Sequence, residues 1–483
     1  MIAASLPTGT LSRAQELYPK PLLHTPADHP AARILLLNIE GMHALDLALW
    51  VAGHPNSALA ELSRRGVTYT NAHVPWADPA VGLVAVVTGG SPRSTGIVTM
   101  DGYDRSLSPP RSPCGSTGPS DGAAIPLDAA TADAGDGRAM WRAPLDPRRG
   151  CAPVAPHALL RVNTLFEIVH AQGGRSAWAG DSAAITDLLR GPSGQGLDEA
   201  CDVSGPTGVV VGTVPFEARQ DASRVDALLK WIDGRDCSGH AATVPEIFGA
   251  TLTEFDAAER DAVSAYQSYD GSPSTTVTEA LATTDGQILR ILAELKMNHL
   301  YDTTWIVVTS AFGEGAISPR RAKSVDAASL AAAANSAEQD VVVHVAAEGT
   351  AMLWLRDRAK TDEVVAALGK RADALGIASV ATGAELTLTM NAPADDPRMP
   401  DVVIEPRESI WYMVRGSHID AGDREVEMHV PLLISGVQFT GRVDKTWVPS
   451  TQLAPLLMRA LGMDKFDLDA LHHEHTPALP GIF

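Results

Sequence analysis

Carboxylates and imidazoles hold hard divalent ions and move protons, so their placement is the first chemical signal in a chain. Here Glu40 closes the apolar run "ARILLLNIEG", and His73 and Asp78 fall within "NAHVPWADPAVGLVAVVTGG". His418, Asp420 and Asp423 fall together in "GSHIDAGD". An ion held by such groups polarises a phosphoryl oxygen. Without an ion, a carboxyl desolvated in a pocket keeps its proton to higher pH and suits general acid or base work. Glu40, Asp78 and His418 are therefore the expected catalytic residues. His73, Trp76, Pro79, Phe312, Trp411, Asp420 and Asp423 are the expected pocket lining. Aromatic walls of that kind suit an organic substrate better than a bare phosphate.

These residues need strand ends to bring them together. "ARILLLNIEG" reads as a buried strand, "ALDLALWVAG" and "NSALAELSRRG" as helices, and "VTYTNAHV" as a strand. "TTWIVVTSAFG" and "VPLLISGV" are further apolar strands, with strongly helical stretches between. Alternating strands and helices predict a mostly parallel α/β sheet flanked by helices, whose ligands bind beyond the carboxyl ends of the strands. The organisation expected is an N-terminal extension over 1–30, a core over 31–334 and a small α+β insert over 335–400. Residues 401–483 then return to the core, "DVVIEP" included, and 104–156 form a long irregular excursion rich in Pro, Gly, Ser and Asp.

The order of elements resembles the alkaline phosphatase superfamily, and within it the type I phosphodiesterase/nucleotide pyrophosphatase family. "LLLNIEGMHALDL", "HPNSALAELSRRGVTYTNA", "VTGGSPRSTGI", "LRVNTLFEIV", "LYDTTWIVVTS" and "EHTPALPGIF" carry the resemblance over nearly the whole chain. It implies an alkaline-phosphatase-like fold and a two-metal phosphoester hydrolase, and the residues it maps then depart from that pattern. Glu40 stands where the family's first strand ends in a metal-binding aspartate, and Pro79 in the slot of the Ser or Thr nucleophile. Pro has no hydroxyl with which to attack phosphorus. Ala311 and Phe312 stand on the aspartate and histidine of Thr-Ala-Asp-His-Gly, whereas His418, or with a shift in this loop Asp420 or Asp423, falls on a retained ligand. The family's Asp-x-x-Gly-His is matched in letters only by "DCSGH", Asp236 to His240, which lies too early; Asp270 is better placed but has no paired histidine. "LHHEH", ending at His475, reads as surface, and "GPSGQG" as a structural loop without the Lys of a phosphate cradle.

Composition narrows the rest. The net charge of −20, from 38 basic and 58 acidic residues, argues against nucleic-acid or anionic-membrane partners. No apolar run is long enough to span a bilayer, and the N-terminus lacks a basic, then apolar, leader, so a cytoplasmic protein is expected. The four cysteines, Cys114, Cys151, Cys201 and Cys237, form no CxxC pair; free thiols in a reducing compartment are the simpler reading, with one disulfide as the alternative. The functional expectation is a member that has lost metal-dependent hydrolysis. It would act without a cofactor on an organic small molecule, by elimination, isomerisation or cyclisation, possibly in biosynthesis. One alternative is an inactive binding protein, which a crowded, closed surrounding of Glu40 would favour. Another is a phosphodiesterase using one divalent metal such as zinc and an activated water.

Overall fold

The structure, a computed structural model, describes residues 31–112, 114, 122–127, 143–201, 212–260, 272–314, 323–408, 410–413 and 425–483. The main sheet begins with β1 (Arg33–Ile39) and β2 (Gly66–His73). Two hairpins follow, β3 (Asp101–Asp104) with β4 (Ala123–Pro126), and β5 (Leu145–Asp146) with β6 (Ala152–Pro153). The chain re-enters the main sheet with β7 (Ser176–Ala179), β8 (Glu199–Ala200), β9 (Ile247–Leu252) and β10 (Thr304–Thr309). It then builds a second sheet from β11 (Lys323–Asp326), β12 (Val342–Leu355), β13 (Ile377–Thr382), β14 (Val402–Pro406) and β15 (Ile410–Met413). It closes the first with β16 (His429–Ser435), β17 (Arg442–Asp444) and β18 (Val448–Pro449).

β1 sits near the middle of the main sheet, parallel to β9 on one side and β10 on the other. Its alternation explains why the run is apolar throughout. Ile34 and Leu36 enter one core, and Leu35, Leu37 and Ile39 enter the other, all without exposure. A strand covered on both faces has no polar phase to display. Each such side chain contributes roughly 1.5–3 kcal/mol by leaving water, so a charge at Leu36 would unseat the sheet. β16 runs antiparallel between β10 and β2, so β2 points the same way as β1. The carboxyl ends of β1, β2, β9 and β10 therefore share one edge, where the start of β16 joins them.

The smaller sheet reaches past both edges of the expected 335–400 insert. β11 precedes it, and β14, which is "DVVIEP", pairs with β12 and β13 rather than with the core. An apolar strand of that length fits either sheet, and only long-range pairing decides between them. Ion pairs fasten this unit to the core: Arg398 to Asp104, Arg161 to Asp396, and Arg105 to Asp401. The cysteines also depart from expectation. Cys114 is bonded to Cys151 and Cys201 to Cys237, which leaves no free thiol. Among the described residues no helix is long and apolar enough to cross a membrane.

Candidate functional site

Glu40 follows β1 at the carboxyl edge, and its backbone N–H donates to Leu252 O, 2.9 Å away at the end of β9. Next to it, Gly41 bridges in parallel to Gly313, so the ends of β1 and β10 meet. Gly41 has φ +76°, and a Cβ there would lie 2.4 Å from Glu259 Oε2. Both facts demand glycine. Three carboxylates, Glu40, Asp256 and Glu259, thus crowd behind one turn, each no more than 6% exposed. Burial is the main force raising the Glu40 pKa well above the ordinary value, and the charges of Asp181 and Asp256 push it further. Arg260 and Arg224 oppose the rise without cancelling it.

The guanidinium of Arg260 pairs with Asp256, four residues before it. This segment comes immediately after β9, where "DCSGH" does not. "DCSGH" is an exposed loop, its Asp236 carboxylate held low chiefly by the His240 backbone N–H. Asp270 lies outside the described residues, as do His418, Asp420 and Asp423. Behind Asp256, Asp221 accepts from the Thr253 and Glu254 N–H groups and pairs with Arg224 at 2.6 Å. Thr253 Oγ1 donates to Glu217 Oε2 at 2.7 Å. Burial and the Asp221 charge push Glu254 up to about 8.

The opposite wall is apolar. Phe312 and Ala311 are buried in the core, with 1% and 0% exposure. A Cβ on Gly82 would lie 1.8 Å from Ala311 O, so the helix Pro79–Thr88 lies backbone against backbone on the end of β10. Pro79 is the first residue of that helix, a place that suits its fixed φ and missing N–H. Asp78 caps the same helix: its carboxylate accepts from the Ala80 and Val81 N–H groups at 2.9 and 3.0 Å and from Met100 N–H at 2.8 Å. That gives Asp78 a structural task that sequence reasoning assigned to catalysis. Trp76 and Asp78 border a void of about 10 Å³, room for one water at most. Trp411 is buried on β15 of the smaller sheet, paired with Ser324, not on the main-sheet edge. A buried polar row, Asn38, Thr251 and Thr309, crosses β9, β1 and β10, and these side chains meet no protein partner among the described residues.

Among the described residues of this edge, Ala311 and Phe312 offer no ligand atom, and the Asp256 carboxylate is paired with the Arg260 guanidinium. Among the described residues, the metal-compatible grouping is Glu199 with Cys201 and Cys237, whose sulfurs are bonded to each other.

A larger opening lies beside this packed centre. His73 ends β2, and its ring lies flat on that of His429, with His43 edge-on to His429 at 5.0 Å. His73 borders a cleft of about 990 Å³ with Ser91, Arg93, Asn391, Trp447 and His473. Glu474 also lines it, its carboxylate accepting from Ser91 N–H and from the Ser91 and Ser94 hydroxyls at 2.6–3.0 Å. Glu40, Asp78, Pro79 and Phe312 do not border it. Sequence reasoning found His73 and read His473, within "LHHEH", as surface, but missed His43, Arg93, His429 and Trp447, which are scattered singly and share no motif.

The model of the family described as type I phosphodiesterase/nucleotide pyrophosphatase matches residues 34–430. A search of the curated proteins found no match. Among solved structures, murine ectonucleotide pyrophosphatase/phosphodiesterase 5 is similar, with TM-score 0.60 and 15% identity over 90% of this chain and 96% of that one. The human protein of the same name gives 0.58 and 15% over 89% and 95%. Wild-type alkaline phosphatase PafA gives 0.61 and 11% over 91% and 97%. At these identities the likeness is one of fold.

Proposed function

Since the chain belongs to the type I phosphodiesterase/nucleotide pyrophosphatase family, we propose that it keeps the family's fold without metal-dependent phosphoester hydrolysis, and serves as a ligand-binding protein. One observation carries this reading: the Arg260 guanidinium pairs with Asp256 beside the buried Glu40, so a cation of the chain itself already answers the carboxylates at this strand edge. Pro79 and Phe312 complete the case, supplying neither a nucleophile nor a ligand. The crowding around Glu40 favours binding over the repurposed enzyme expected from sequence. The open space lies at the neighbouring cleft. The test pairs elemental analysis of the purified protein with a nitrophenyl phosphodiester assay in added zinc or manganese. No bound metal and no turnover above the blank are expected. Near-stoichiometric metal with turnover would overturn the reading in favour of a one-metal phosphodiesterase.

One rival keeps a specific support. Glu40, its pKa raised by burial, is a carboxyl suited to metal-free acid or base chemistry on an organic substrate. A substrate turned over by the wild type but not by Glu40→Gln would establish that rival. The disulfides further support residence in an oxidising compartment, in place of the cytoplasm expected from sequence. Alkylation of unreduced protein from its native source tests this, and four labelled thiols would refute it.

A further inference from the structure

We propose that the cleft at the carboxyl edge of β2 binds a monoanionic organic acid with a flat ring, an aryl carboxylate, held at Arg93 and stacked on Trp447. This deepens the binding-protein reading and rests on it. The volume of about 990 Å³ is that of a small-molecule site. Two exposed apolar side chains form its lips, Leu388 at 79% and Trp447 at 60% exposure. Large apolar groups left in water around a polar cleft mark a place where a ligand's apolar part lands. Trp447 already has His73 on one side, ring centroids 5.8 Å apart, which leaves an aromatic surface beside the opening.

The charges select the anion. Arg93 donates to Thr387 O and has no carboxylate partner among the described residues, in a chain with 58 acidic side chains. A guanidinium presents five donors in a planar fork that matches a carboxylate. Arg161, the other arginine of the cleft, is consumed by Asp396, which receives both of its terminal nitrogens. Glu474 brings a negative charge, already satisfied by Ser91 and Ser94. One guanidinium thus faces the opening without a carboxylate partner among the described residues, and the Glu474 charge repels a dianionic phosphate about twice as strongly as a monoanion. His473 stands at the same opening, able to donate a further hydrogen bond.

The test is titration calorimetry with 2-naphthoate, neutral 2-naphthamide and dianionic 2-naphthyl phosphate against the full chain. A single saturable site for naphthoate is expected, with naphthamide about tenfold weaker for want of the charged hydrogen bonds. Arg93→Ala should weaken naphthoate about tenfold and leave naphthamide unchanged, whereas Trp447→Ala should weaken both. Both side chains lie at the surface, so unaltered thermal unfolding should show that the variants fold. No saturable binding, binding indifferent to both substitutions, or naphthyl phosphate bound more tightly than naphthoate would each overturn the proposal. Phosphodiester turnover in the separate assay would overturn the loss of hydrolysis and leave this result standing.

Discussion

His73 and His429 lie face to face, ring centroids 4.8 Å apart and planes within 6°, with His43 edge-on to the second ring. In that company His43 resists acquiring charge. His43 is depressed to about 4 by burial first, then by His429. It also caps the helix Ala44–Gly53 by accepting the Leu45 N–H at Nδ1, 3.0 Å away, which only an unprotonated nitrogen can do. A histidine depressed in the folded state contributes stability that is complete above its ordinary 6.5 and is lost as pH falls from there towards 4. The loss should reach about 3 kcal/mol at most. Thermal unfolding of wild type and His43→Asn between pH 7 and 4 checks this, because Asn preserves the cap without titrating. Parallel pH profiles would refute it.

Arg260 is the cation that makes the carboxylate cluster tolerable. Removing one partner of a buried pair leaves the other charge uncompensated, at a cost of about 3–5 kcal/mol. Arg260→Ala should therefore unfold at lower denaturant than wild type at pH 7. The deficit should shrink as pH falls, because Asp256, Glu259 and Glu40 then take up protons. A deficit independent of pH would show that Arg260 acts by packing alone.

Glu40 makes the opposite prediction. A carboxyl whose folded pKa is raised costs stability above its ordinary value of 4.5, and that cost disappears at lower pH. Glu40→Gln removes the ionisable group at nearly constant shape, so it should stabilise by about 1–3 kcal/mol at pH 7 and little at pH 4. Denaturant unfolding at the two pH values is the measurement. Destabilisation at pH 7 would mean that Glu40 is held there as a satisfied carboxylate.

What could be read from the sequence follows from the range of each interaction. The apolar run of β1 and its glycine end locate Glu40, and the strand-end rule puts it beside Phe312, where the Gly41–Gly313 bridge holds it. Those are local patterns on one sheet. Asp256 and Arg260 escaped because the search was for Gly-His, and an Asp–Arg pair four residues apart carries no signature of its own. Asp78 shows a second role that the sequence also carries. A carboxylate before a helix proline is the sequence of an N-cap, a task legible beside the catalytic one that the nearness of Pro79 suggested. The cleft joins Arg93 to His473 across most of the chain, a proximity that only the packed structure reveals.

His344 should oppose the acid lability of His43. Its Nε2 lies 2.9 Å from the backbone oxygen of Asp101 and 3.4 Å from the Asp101 carboxylate, and its ring stacks on Tyr103. Burial works against the charge, but the Asp101 contacts prevail and raise the pKa. The stability it contributes is complete below 6.5 and fades as pH rises through the elevated value. Because these contacts join β12 to β3, the smaller sheet should loosen from the core in mild alkali. Amide exchange of β12 measured at pH 6 and pH 9 should quicken more than the chemical rate requires, and His344→Gln should remove the excess.

The disulfides set the last prediction. Cys114–Cys151 and Cys201–Cys237 close loops of 37 and 36 residues in sequence separation. Closing a loop of that length in the unfolded chain is worth about 3–4 kcal/mol per bond. Cys237 follows the helix Val214–Ile232, and the same stretch carries Trp231, whose indole N–H donates to Glu199. Losing the second bond should therefore free β8 at the sheet edge. Cys237→Ser paired with Cys201→Ser should lower the unfolding midpoint more in oxidised than in reduced protein. An equal midpoint with and without dithiothreitol in the wild type would mean that the cysteines are not bonded in solution.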